Sequence, residues 1–102
     1  MTTIQLLLER LQDRDISEAA KASIVEELEN MGHKVVTCTY QPNVKGMLVS
    51  FFENAKYAVE RETAKSIWVI DAIGISRRFT KDGTEAAQTG MTNYSQRVLV
   101  AI

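Results

Sequence analysis

The sequence predicts a two-layer α+β domain of 102 residues, with elements in the order α-α-β-α-β-β around a small mixed sheet that ends in a long C-terminal β-hairpin. Three observations predict it. Helix-capping patterns followed by apolar residues at helical spacing fill the first third; two β-rich apolar runs, VVTCTY and SIWVIDAIG, lie beyond it; and a polar stretch separates the second run from a closing NYSQRVLVAI. With 45% hydrophobic and 25% charged residues, a chain of this length makes one globular domain, divided into a helical hairpin over 1–32 and a β-α-β-β portion over 33–102.

Two capping boxes start the helices. Thr2-x-x-Gln5 and Asp15-x-x-Glu18 each offer an oxygen to orphan helix N–H groups while the later residue reaches back. After the first, Ile4, Leu7, Leu8 and Leu11 share one helix face; after the second, Ala20, Ile24 and Leu28 do so, flanked by Val25 and Met31. Asp13-Arg14 forms the joint. Gly32 is the stop of the second helix, with His33-Lys34 placing positive character near its negative end.

VVTCTY, 35–40, is β-branched or aromatic at most positions and runs into Gln41-Pro42-Asn43, which reads as a strand followed by a turn. Over 44–65, Met47, Leu48, Phe51, Phe52, Ala55, Ala58 and Val59 follow an i, i+3, i+4 pattern and predict a third helix. The competing reading is a hairpin of GMLVSFF and KYAVER, which would set two adjacent Phe on opposite faces. SIWVIDAIG, 66–74, is apolar at successive positions, as a central strand covered on both faces should be, and Gly74 within it marks a bulge. From Thr80 to Thr92 the chain is polar, with one short helical turn around Glu85–Gln88; the closing strand then pairs antiparallel with 66–74. The first β-α-β segment makes a parallel pair, and the exposed edges of so small a sheet predict a homodimer.

Composition narrows the function. Cys38 is the only cysteine, so no internal disulfide forms, and a lone thiol suits the reducing cytoplasm. The apolar stretch near the N-terminus breaks at Glu9-Arg10, too short for a signal peptide or a membrane span. A net charge of −1 gives no bulk drive toward nucleic acid or an anionic membrane, although the first 33 residues carry −4 and the remainder +3.

Chemistry-bearing motifs are sparse. His33 and Cys38 are single and separated by ~15 Å of extended chain, which does not assemble a nucleophile–base pair. Neither a zinc pattern nor an EF-hand occurs, so no metal is expected; without GxxxxGK[ST] or GxGxxG, no nucleotide cofactor is expected either. Asp71, a carboxylate inside an apolar strand, needs either a ligand-facing opening or a structural salt bridge, with Arg78 or Arg97 as the partners in reach.

GISRRFTKDG, 74–83, holds the densest basic cluster. On a regular strand Arg77 and Arg78 point to opposite faces, unless Gly74 twists them together; Arg78, Lys81 and Arg97 then make a small patch, with Phe79 or Tyr94 for stacking. The alternative is a set of charges that keep a hairpin tip soluble and block edge pairing. Arg77-Arg78-Phe79-Thr80 also has two basic residues ahead of a phosphorylatable hydroxyl, a short pattern common by chance.

These features predict a non-enzymatic binding module, a small regulatory or inhibitory protein acting through protein–protein contacts, in the manner of phage inhibitors of a host machine. Two alternatives stand beside it: nucleic-acid binding through Arg77, Arg78, Lys81 and Arg97, and a small-molecule or nucleotide pocket near Asp71 and the 80–92 loop.

Overall fold

The computed structural model describes residues 2–41, 50–86 and 98–102. Two helices, α1 (Thr3–Leu11) and α2 (Glu18–Asn30), precede five strands: β1 (Val35–Tyr40), β2 (Lys56–Glu62), β3 (Ser66–Ile70), β4 (Ser76–Thr80) and β5 (Leu99–Ala101). This is a mixed α+β fold. The strands form one sheet in the order β4-β3-β2-β1-β5, and every pairing among them is antiparallel.

The first capping box forms as its residues dictate. Thr2 Oγ1 accepts the Gln5 backbone N–H at 3.1 Å and Gln5 Oε1 accepts that of Thr2 at 2.8 Å. The second helix starts later than expected, because Ser17 and not Asp15 caps it, accepting the Ala20 N–H at 3.1 Å. Asp15 instead donates its own N–H to Asp13 Oδ1 in the joint. At the far end the Gly32 N–H reaches Glu29 O and the His33 N–H reaches Leu28 O, both at 3.0 Å, which closes α2 at Gly32 as read from sequence.

The largest correction concerns 44–65. No third helix occupies its described part: Lys56–Glu62 is the strand β2, as in the competing hairpin, while 42–49 lies outside the described residues. Tyr57, Ala58 and Val59 are buried in succession because both faces of β2 are covered. Ala58 joins Leu7, Leu8, Leu11, Ile24, Val25, Leu28 and Ile70 under the helices. Tyr57 and Val59 face the opposite side, with Val36, Cys38, Phe51, Ile67, Val69, Phe79, Val98 and Val100. β2 runs antiparallel to both β1 and β3, so the expected parallel pair and mixed sheet give way to antiparallel pairing.

The closing strand also finds another partner: β5 pairs with β1, not with 66–74, and 93–97 lies outside the described residues. The chain after β4 doubles back to meet it. Thr80 N–H bonds Thr84 O and Ala86 N–H bonds Arg78 O; on the other side Glu85 N–H bonds Val98 O and Val100 N–H bonds Gly83 O. Residues 83–86 therefore bridge the two edge strands and curl the sheet into a small closed barrel, with the Phe51-centred cluster inside it. Glu85 and Ala86 are extended here rather than helical. Among the described residues, 83–86 pair with part of the outer edge of β4 and of β5.

Gly74 is a turn residue and not a bulge. β3 ends at Ile70, and Gly74 has φ +89° in the 71–75 turn into β4. A Cβ there would lie 3.0 Å from Gln12 O and 3.1 Å from Leu11 O, so the turn docks against the end of α1 only without a side chain. Among the described residues, no helix is long and apolar enough to cross a membrane.

Candidate functional site

Alternation along β3 and β4 sorts the GISRRFTKDG cluster. Val69 pairs with Arg77 and Ile67 with Phe79, and these four side chains point into the barrel; Trp68 pairs with Arg78 and both point outward. Gly74 does not bring the arginines to one surface. β4 is regular, and Arg77 and Arg78 serve different ends.

Inside, Arg77 holds a polar network at one end of the core. Its Nη2 donates to Glu85 Oε2 at 2.6 Å, and its Nη1 to Ser50 Oγ at 3.1 Å and to Asp71 Oδ2 at 3.5 Å. Asp71 Oδ1 accepts the backbone N–H of Ile73 and Ile75, at 3.0 and 2.9 Å, and so shapes the turn that carries Gly74. Glu85 Oε1 accepts the Val98 N–H at 3.1 Å. Burial pushes the Asp71 carboxyl above the ordinary aspartate range, opposed by its two backbone donors and by Arg77. Both carboxylates spend their oxygens on the chain's own donors, so the network locks the barrel and presents no acid–base pair to solvent. The structural salt bridge expected of Asp71 exists, with Arg77 as a partner; Arg97 lies outside the described residues.

The other expected site residues separate as well. Phe79 is fully buried, edge-on to Phe51 with ring centroids 5.6 Å apart, and stacks on nothing outside. Lys81 pairs with Glu62, which also takes Lys34 at 3.2 Å, and these two lysines hold the Glu62 carboxyl below its usual value. Arg97 and Tyr94 lie outside the described residues. Cys38 is wholly buried, and His33 Nε2 sits 2.6 Å from Val59 O, which ties the helix end to β2.

The outer face holds a row that sequence reading did not assemble. A bulge in β2 between Val59 and Arg61 shifts the register by one residue, so Arg61, not Glu60, lies opposite Trp68. Glu60 lines a shallow surface depression together with Gln5, Leu8, Glu9 and Gln12. The Arg61 guanidinium lies 3.9 Å from the centre of the Trp68 ring, and Arg78 is the cross-strand neighbour on the other side. Arg61 and Arg78 are exposed and Trp68 is half-buried. Ile70, two residues on, is covered by the helices, whereas Trp68 lies outside that cluster.

Arg61, Trp68 and Arg78 thus form a row across β2, β3 and β4 in which one guanidinium lies over the indole face. Trp68 carried a signal in the sequence, since it alternates with the inward Ile67 and Val69. Arg61 carries none where the pattern of 44–65 reads as a helix. Compared with protein-family models, curated proteins and solved structures, the chain matches none.

Proposed function

We propose that the chain is a non-catalytic binding module, a small regulator or inhibitor, that holds a protein partner through the outer face of β2, β3 and β4. The Arg61–Trp68–Arg78 row supports this reading. Tryptophan and arginine are enriched among the residues that dominate binding energy at protein interfaces, and here both are carried on strands whose backbone is already ordered. The partner surface is acidic, to meet two guanidinium groups with no carboxylate paired to either among the described residues. The fully buried thiol of Cys38 suits the cytoplasm.

The test is affinity capture from the native host with the wild-type chain and with the Arg61→Glu/Arg78→Glu double variant, both checked for folding by circular dichroism. A partner held by the wild type and lost by the variant is the expected result; equal capture by both sinks the reading. The same row is also a stacking platform for single-stranded nucleic acid. A net charge of −1, with Lys34 and Lys81 both paired to Glu62, gives little electrostatic drive toward a phosphate backbone. Binding to oligonucleotides that weakens steeply with salt, and that the double variant loses, would replace the protein reading with this one.

A further inference from the structure

A second feature lies where α2 covers the sheet. Between α2 and the strands is a cleft of about 280 Å3, with Leu11, Val25, Phe52, Tyr57 and Ile70 among its apolar lining and Lys21 at its edge. Lys21 occupies the buried stripe of α2 that continues through Ile24, Val25 and Leu28, a position where the i, i+3, i+4 pattern calls for an apolar residue. Its side chain is nine-tenths buried, with 9% exposure. The only acceptor for its ammonium among the described residues is Ala72 O at 3.0 Å. Glu18, one turn earlier on the same rim, is exposed and makes no ion pair with it, and Lys56 across the cleft is already held by Glu29 at 2.8 Å.

An ammonium taken out of water needs a counter-charge or several acceptors. Among the described residues, Lys21 has one neutral carbonyl and no carboxylate as an acceptor. The hydroxyl oxygen of Tyr57 accepts the Phe52 N–H at 2.7 Å and keeps its own hydrogen for donation. A greasy cleft edged by a buried cation, with a hydroxyl donor in its lining, matches one ligand chemistry: an anionic head on a short apolar body. We propose that this cleft binds a small amphipathic monocarboxylate, its carboxylate on Lys21 and its apolar body between Val25, Phe52 and Ile70. The volume, just under the range of about 300–1,000 Å3 for drug-sized ligands, limits the body to a short alkyl chain or a single ring.

The test uses the full chain, 15N-labelled, titrated with sodium octanoate and separately with octanol, which keeps the body and removes the charge. Octanoate should shift the amide signals of Lys21, Val25, Tyr57, Ile70 and Ala72 in a saturable way, and octanol should bind at least tenfold more weakly. Lys21→Met, which keeps the packed stem, should weaken octanoate at least tenfold and leave octanol unchanged. No saturable shift with octanoate overturns the proposal, as does equal affinity for the two ligands; this wild-type comparison decides the matter even if Lys21→Met fails to fold. Octanoate affinity unchanged in a folded Lys21→Met also overturns it.

Discussion

Arg77 sits between two buried carboxylates, and what it stabilises is clearest from what its loss would leave. Truncation to methionine keeps the stem but strands Asp71 and Glu85, whose side chains are 0% and 1% exposed. Breaking a buried pair in this way costs about 3 kcal/mol or more, so Arg77→Met should lower the urea midpoint markedly with an unchanged slope. Asp71 adds a pH signature. Its folded pKa is raised by burial, so the native state holds this proton to higher pH than the unfolded chain. Its contribution is therefore most favourable below the ordinary aspartate pKa and declines as pH rises through the folded value. In paired denaturation curves, the balance between wild type and Asp71→Asn should move toward the variant over that pH window; a constant difference from acid to neutral pH would refute the assignment.

Element by element, the structure rests on where residues 83–86 cross from β4 to β5. Gly83 has φ +91°, and a Cβ on it would lie 2.0 Å from Val100 O, so this crossing tolerates no side chain. Gly83→Ala should cost roughly 3 kcal/mol through strain and the displaced Val100 bond, read by thermal denaturation and by faster amide exchange at Val100. The same elements show what a sequence displays of itself. Both helices were legible because Thr2 and Gln5, then the Gly32 stop, act within a turn of where they stand. β1 and β3 were legible from β-branched, apolar runs. β2 was not: Tyr57, Ala58 and Val59 bury on alternate faces of a doubly covered strand, and the bulge after Val59 breaks the alternation further, leaving a pattern that mimics a helix. Asp71 was legible as a charge in need of a partner, yet Arg77 was not identifiable as that partner, because its inward direction depends on the β3–β4 register. The Trp68 row depends in the same way on a bulge that local composition does not announce.

At the scale of the whole molecule, one closed barrel buries its thiol at the centre while its outer face stays open for contact. Cys38 is inside with no exposure, and burial pushes its thiol above the usual pKa. Its labelling by an aromatic disulfide reagent should be negligible in the native protein and should follow the urea unfolding curve; fast native labelling would contradict the enclosed core. On the outside, Trp68 is the sole tryptophan of the chain, so its fluorescence reports on the proposed contact without any added label. The most direct measurement titrates the captured partner into the wild-type protein while following Trp68 emission and its quenching by acrylamide, with the emission of the partner alone subtracted. A saturable change in emission, with Trp68 shielded from the quencher in the complex, is the predicted result. A complex that forms with Trp68 emission and quenching unchanged would contradict the account, since the partner would then be held somewhere other than the Arg61–Trp68–Arg78 face.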